Sequence, residues 1–237
     1  MAQALRTLQA SRLAAGLDAM GESAARALGV DVLTVSLRTA QDQSEPLWCS
    51  DDSGHRFDDL QFTLGEGPAR DAATSGASVS VPDVITIPTG RWSALAPEIQ
   101  ALPLRAIFCF PLGIGAIQVG VLTAARRTPG PLNGQQSDDA HALASALTAR
   151  ILDGPGTQPG MLEATDPPAL LRAVVHQATG MLSVQLGLPL TQALLRLRAH
   201  AYGAGRDIGD ISQEIVDGRL RLAENGTGAP STDAGKD

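Results

Sequence analysis

Three apolar runs at helical spacing, tied by joints too short to let their helices part, constrain this chain more than any other feature. Val174, Val175, Ala178, Met181, Leu182 and Leu186 follow the i, i+3, i+4, i+7 rhythm of an amphipathic helix, as do Leu190, Ala193, Leu194, Leu197 and Ala201. Ile208, Ile211, Ile215 and Val216 form a shorter third run. The joints Gly187-Leu188-Pro189 and Gly203-Ala204-Gly205 oblige neighbouring helices to pack on one another, so residues 169–222 are expected to form a small helical bundle. Six arginines against four acids give this stretch a net charge of +2, while residues 1–168 carry −7. A mildly basic unit on an acidic chain is where a polyanion would be met. Arg198 and Tyr202, Arg196 and His200, and Arg172 and His176 are each four apart, so each pair is expected to share a helix face away from the apolar stripe.

The remaining sequence reads differently. The chain has 237 residues, 43% of them apolar, enough for one large or two ordinary domains with a buried core. Residues 1–28 are expected to be a helix, with Leu17, Met20, Ala24 and Leu28 on one stripe that either packs on the next domain or pairs with its copy in a dimer. From 29 to 152 strand and helix signals alternate: strands at Val32 to Leu37, Glu45 to Ser50 and Ala77 to Val81, and a helix from Pro68 to Ser75 stopped by Gly76. Asp51 to Arg56 and Pro82 to Leu104 read as loops, the latter broken by Pro88, Pro97 and Pro103. A hairpin of Phe108 to Leu112 and Ala116 to Ala124 follows, then a helix opened by Ser137 whose stripe is Ala140, Leu143, Ala144, Leu147 and Ile151. This order predicts an α+β fold, one antiparallel sheet with helices packed on it. Residues 153–168 are rich in Gly and Pro and read as a linker; residues 223–237 read as a disordered polar tail.

Several function classes are disfavoured. Ala106 to Ala125 runs twenty residues without a charge, but Pro111 and three glycines suit two buried strands better than a membrane span. Arg6, Arg12 and Asp18 interrupt any signal-peptide core, so a cytoplasmic protein is expected. Cys49 and Cys109 lack a CxxC pattern and read as reduced and packed. His55, His141, His176 and His200 share no metal-ligand spacing, and Gly65-Glu66-Gly67 lacks the residues that complete a phosphate loop and reads as a turn before a helix. No Ser-His-Asp set or paired carboxylates stand in a supporting context, so neither an enzyme nor a cofactor is expected.

Two family resemblances add to this. Val175-His-Gln-Ala-Thr-Gly-Met-Leu182, Ala193-Leu-Leu-Arg-Leu-Arg198, Ala201 and Arg206-Asp-Ile-Gly-Asp-Ile-Ser212 resemble the ANTAR domain, the RNA-binding module of bacterial antitermination regulators. Thr179 stands where that family usually has lysine, and Pro189 where a capping serine is common. Phe62-Thr-Leu-Gly-Glu-Gly-Pro68, Val81-Pro-Asp83, Arg91-Trp92, Phe110-Pro111 and Gly120-Val-Leu122 resemble a bacterial GAF domain, with Ala69 in place of a frequent cysteine. The GAF resemblance implies a pocket between the sheet and the loop Pro82 to Leu104, for which Arg91, Trp92, Phe108 and Phe110 are candidate lining residues, each equally readable as core. The ANTAR resemblance implies RNA contacts at Arg172, His176, Gln177, Thr179, Gly180, Arg196, Arg198, His200, Tyr202 and Arg206. Together they imply a homodimeric regulator that takes a small-molecule or protein signal at its GAF domain and binds RNA stem-loops to promote transcription antitermination. The alternative is a sensing and dimerisation module that acts through protein contacts and binds no RNA.

Overall fold

The computed structural model describes residues 16–39, 44–153 and 167–222. The chain divides into two compact units, Met1–Leu171 and Arg172–Asp237. Most of the linker and the whole tail read from the sequence lie outside the described residues.

The first unit is built on five antiparallel strands in the order β2-β1-β5-β4-β3, namely β1 Val32–Arg38, β2 Ser44–Cys49, β3 Val79–Val81, β4 Ala106–Ile114 and β5 Ile117–Arg126. Alternation decides what each face carries. From β1, Leu33, Val35 and Leu37 point to one side, where they join Phe108, Phe110 and Leu122. Val32 points to the other, with Ile107, Cys109 and Val121. Both sides are buried, so the sheet is the middle of three layers.

Helix α1 (residues 16–28) and helix α5 (Gly134–Asp153) cover the first side. Ala25, Leu28, Ala140, Ala144, Leu147 and Ile151 are buried there, and Leu17, Ala24 and Leu143 are partly buried against them. Both expected stripes are therefore used on this chain's own sheet, leaving Met20, 64% exposed, as the outward member on α1. Helix α5 begins at Gly134, three residues before the expected start, because Asn133 and Gln136 cap one another: the Gln136 amide donates to Asn133 Oδ1 at 2.9 Å and the Asn133 amide to Gln136 Oε1 at 3.0 Å. Arg126 ties this end together, donating to Gly29 O, Pro131 O and Gln136 Oε1.

On the second side lie α2 (Asp52–Leu64), α3 (Pro68–Ser75), the short 3-10 turn Val84–Thr86 and α4 (Leu95–Gln100). Two expected loops are corrected here. Asp51 to Arg56 is the start of a helix: Asp51 accepts from the Gly54 amide at 3.0 Å as its N-cap, and Gly65 closes it in the left-handed region at φ 72°. Pro82 to Leu104 contains α4, whose Pro97 is its third residue, where a missing N–H costs nothing. No helix among the described residues is long and apolar enough to cross a membrane, and Ala106 to Ala125 forms β4 and β5.

The second unit is three helices, α6 (Pro167–Leu186), α7 (Leu190–Ala204) and α8 (Ile208–Val216). Most of the stripes read from the sequence are buried: Val175, Ala178, Leu182 and Leu186; Ala193, Leu194, Leu197 and Ala201; Ile208, Ile211 and Ile215. Met181 and Leu190, at the margins of their stripes, are instead exposed, and Val174 and Val216 are half-buried. Gly187 and Gly205 turn the joints at φ 62° and 60°, a region a side chain rarely adopts. Asp207 caps α8 through the Gly209 amide at 2.6 Å. One polar atom sits poorly: Ser212 is fully buried and its Oγ has no hydrogen-bond partner. An unsatisfied buried hydroxyl costs about 1–3 kcal/mol. Ser212→Ala is therefore expected to leave stability unchanged or raise it by about 1 kcal/mol, read as the midpoint of urea unfolding. A loss of that size would show that the hydroxyl is satisfied.

Candidate ligand face and candidate nucleic-acid face

The register places one polar row across the middle of the sheet. Cys49 of β2 lies opposite Thr34 of β1, Thr34 opposite Thr123 of β5, Thr123 opposite Cys109 of β4, and Cys109 opposite Val79 of β3. The row belongs to the side covered by α2, α3 and α4. Thr34, Ser36 and Thr123 are all buried. Cys109 Sγ and Thr123 Oγ1 are 3.6 Å apart, while Thr34 Oγ1 has no hydrogen-bond partner. Buried hydroxyls in a central strand are expensive unless something meets them, so this row marks the side on which a polar ligand would find complementary groups.

Its thiols are not reactive ones. Burial pushes both Cys49 and Cys109 up to about 12, so neither forms thiolate near neutrality. Cys49 also donates to the Asp51 carbonyl at 2.9 Å. Helix α2 comes close enough that a Cβ on Gly54 would lie 2.5 Å from Cys49 Sγ and 2.7 Å from Thr34 Cγ2. Buried Asp58 and Gln61 follow Gly54 along the same helix. Gln61 Oε1 accepts from the Ala69 amide at 2.9 Å, capping α3.

Two carboxylates hold the segment 82–104 over this side. Glu66 Oε1 accepts from the Ala94 and Leu95 amides at 2.8 and 2.9 Å, capping α4 from the turn between α2 and α3. Asp71 Oδ2 accepts from Trp92 Nε1 at 3.2 Å and from Arg91 Nη2 at 3.3 Å. The Arg91 guanidinium lies over the Trp92 ring, 4.1 Å from its centre. Trp92 is buried and has a φ of +50°, the one non-glycine residue with positive φ among those described. At the other end of the segment Arg105 grips both oxygens of Asp83 at 3.1 Å. The Ile85 amide first, and then Arg105, hold the Asp83 carboxyl below the usual carboxylate range. That stabilisation is complete above the ordinary carboxylate pKa and is lost as pH falls through the lowered one.

Of the four lining candidates, the structure brings together only Arg91 and Trp92. Phe108 and Phe110 lie on the opposite side of the sheet, in the core formed with α1 and α5. There Phe110 meets the His141 ring edge-on at 4.9 Å and Arg126 lies over Phe108 at 5.7 Å. The reason is the strand period of two: Ile107 and Cys109 face the polar row, so 108 and 110 cannot. Asp71 and the Thr34-Thr123 pair are not marked in the sequence; Glu66 reads there only as part of a turn, and Asp58 as half of a solvated loop pair with Asp59, whereas it is buried within α2. Thr34 and Ser36, set between apolar residues of one strand, were the available signal.

In the helical unit the expected RNA contacts separate into three groups. Arg172 and Thr179 are buried, at 1% and 4% exposure, and this corrects the placement of Arg172 on a face away from the apolar stripe. They continue the buried stripe of Val175, Ala178 and Leu182, and Thr179 Oγ1 donates back to the Val175 carbonyl at 2.7 Å. Arg206 is exposed but gripped by Glu214 at 2.9 and 3.2 Å, which holds the Glu214 carboxyl below its usual range. His176, Gln177, His200 and Tyr202 are exposed, while Gly180, Arg196 and Arg198 are half-buried. On α7, Leu195, Arg198 and Tyr202 fall at i, i+3 and i+7, with Leu195 66% and Tyr202 65% exposed. Acids lie on and around α8, at Asp207, Asp210, Glu214 and Asp217, so the outer face of α7 is the part of this unit best suited to a phosphate backbone.

No family model matches this sequence, and no curated protein matches it. Solved structures do. The GAF domain region of a protein from Geobacter sulfurreducens PCA is 16% identical, with 61% of this chain and 96% of that one covered and a TM-score of 0.50. The GAF domain of a phosphoenolpyruvate-protein phosphotransferase from Coxiella burnetii is 15% identical over 63% and 95% of the two chains, with a TM-score of 0.46. A type II free methionine-R-sulfoxide reductase from Thermoplasma acidophilum is 12% identical over 63% and 96%, with a TM-score of 0.47. The first of these, read with the strand order 2-1-5-4-3, shows that the first unit has a GAF fold.

Proposed function

We propose that this chain is a signal-responsive regulator in which the GAF unit senses a ligand and the helical unit, an ANTAR-type module, binds RNA stem-loops to promote transcription antitermination. The observation that carries the RNA half is the face of α7 where half-buried Arg198 lies one turn before an exposed Tyr202. A guanidinium next to an aromatic ring suits an unpaired loop, one group gripping phosphate while the other stacks on a base. Support for the sensing half is the set of buried hydroxyls of Thr34, Ser36 and Thr123, on the side of the sheet that also carries the segment held by Glu66 and Asp71. The ligand's class is left to that row: a compact molecule with hydrogen-bonding groups.

A second reading rests on apolar side chains that α6 and α7 leave in solvent. Val184 is 86% exposed, Leu195 66% and Met181 40%, which suits a module that works through protein contacts. The buried positions of Arg172 and Thr179 remove two of the expected RNA contacts and favour the same alternative.

Fluorescence anisotropy with a structured RNA, a single strand and duplex DNA, each at two salt concentrations, separates them. Arg198→Ala is expected to weaken stem-loop binding and flatten its salt dependence by about 0.7–0.9 in log–log slope, one phosphate contact's worth. Tyr202→Ala is expected to cost about 1–3 kcal/mol with the slope unchanged, because stacking releases no counterions. Circular dichroism first establishes that both variants keep their helices. Wild-type protein that binds none of the three probes sinks the RNA reading, and the interaction module takes its place.

A further inference from the structure

Ser78 and His141 are 63 positions apart, and neither residue has a part in the reading above. The fold brings them into contact: Ser78, one residue before β3, has its Oγ 3.0 Å from Nε2 of His141 on the second turn of α5. The other ring nitrogen, Nδ1, lies 2.8 Å from the Ser137 carbonyl oxygen. A carbonyl can only accept, so Nδ1 carries the hydrogen and Nε2 presents its lone pair to the serine hydroxyl. The ring is further fixed by its edge-on contact with Phe110, at 4.9 Å and 83°. Nucleophile, base and a group that orients the base thus stand in the order that activates a serine. Both Ser78 and His141 are exposed, so a reagent can reach the hydroxyl.

We propose that Ser78 is an acylation site, its hydroxyl activated by His141 toward an activated carboxylic ester. The Ser78 oxygen attacks the ester carbonyl carbon and forms a new C–O bond, while its proton passes to Nε2. The leaving alkoxide departs with the electron pair of the broken C–O bond and takes that proton from the imidazolium. The product is an O-acyl serine beside a neutral histidine, with nothing oxidised or reduced. Since the pair lies at the edge of the first unit and on α5, an acyl group there would alter the contact between α5 and the start of β3.

The full chain is treated with p-nitrophenyl acetate, and the acetyl groups are located by peptide mass spectrometry. The background is low, because the only lysine is Lys236. Ser80, exposed and two residues away, serves as the internal reference. Ser78 is expected to be acetylated about 10²-fold faster than Ser80, the lower end of what a positioned general base contributes. His141→Gln, which can still hydrogen-bond but takes up no proton, is expected to bring Ser78 down to the rate of Ser80 while the rate at Ser80 stays constant. Equal rates at Ser78 and Ser80 in wild type, or an unchanged Ser78 rate in the variant, would overturn the proposal. A changed Ser80 rate in His141→Gln signals a disturbed edge, and Ser78→Cys then decides: rapid alkylation of the new thiol relative to Cys49 upholds activation by His141, and a rate no higher than that of Cys49 rejects it.

Discussion

Gly120→Ala is expected to lose about 3–4 kcal/mol of stability, a large share of the roughly 5–15 kcal/mol that holds a domain together. A Cβ at this position would stand 2.1 Å from the Ser36 carbonyl oxygen and 3.2 Å from Leu37 Cα. The obstruction is backbone, so no rotamer change relieves it. Gly120 pairs with Leu37 on β1 and with Leu112 on β4, next to the irregularity between Leu112 and Gly113. Adding a methyl group pushes β5 from β1 at the centre of the sheet, where both sides are buried and neither strand can move without opening a core. Urea unfolding of the full chain, followed by tryptophan emission, measures the loss. Trp48 and Trp92, the two tryptophans, both belong to the first unit, so the transition they report is that unit's own. A midpoint equal to wild type would mean that β1 and β5 lie farther apart than described.

The fold was legible wherever one strong period ran without interruption. The three helices of the second unit and the β4–β5 hairpin were read from apolar spacing and turn residues, and Gly76 ended α3 as expected. The elements that were missed have mixed faces. Helix α2 buries Ser53, Gly54, Asp58 and Gln61 beside Phe57 and Phe62, so its inner face does not read as apolar. Its Gly54 weakens the helical signal for a reason visible only in space, the close approach of Cys49 and Thr34. Helix α4 is six residues long, with a proline inside and its cap supplied by Glu66 from 28 positions earlier. A long-range cap of this kind leaves no local mark.

The candidate sites show the same division. Arg91 and Trp92 were found, but the carboxylate that positions them, Asp71, lies on another element, 20 positions from Arg91. In the helical unit, pairing residues four apart placed Tyr202 on an outer face, while Arg198 is half-buried beside the stripe. The same rule failed for Arg172, since i and i+4 differ by about 40° on the helix and Arg172 falls just inside the buried edge while His176 falls outside it. Thr179, which stands where the ANTAR family usually has lysine, suits its buried place because its hydroxyl donates to the Val175 carbonyl.

Phe108→Ala tests which side of the sheet Phe108 serves. The ring is 2% exposed and belongs to the core shared with α1 and α5, so truncation is expected to cost about 3–5 kcal/mol through lost burial and the cavity left behind. Stability loss alone does not distinguish the two sides, because a large buried ring is costly to remove from either. A double-mutant cycle does. Leu147 of α5 lies in the same core as Phe108, whereas Ile99 of α4 lies in the core on the other side, with the thickness of the sheet between. Truncating Leu147 together with Phe108 is expected to give a coupling of about 0.5 kcal/mol or more, since the two cavities share walls that relax together. Truncating Ile99 with Phe108 is expected to be additive within about 0.3–0.5 kcal/mol. The reverse pattern, additive with Leu147 and coupled to Ile99, would turn Phe108 toward the polar row and restore it as a lining residue. In the expected pattern Phe108 stays in the core with α1 and α5, and the β4 residues on the side of Thr34 and Thr123 are the odd-numbered Ile107 and Cys109.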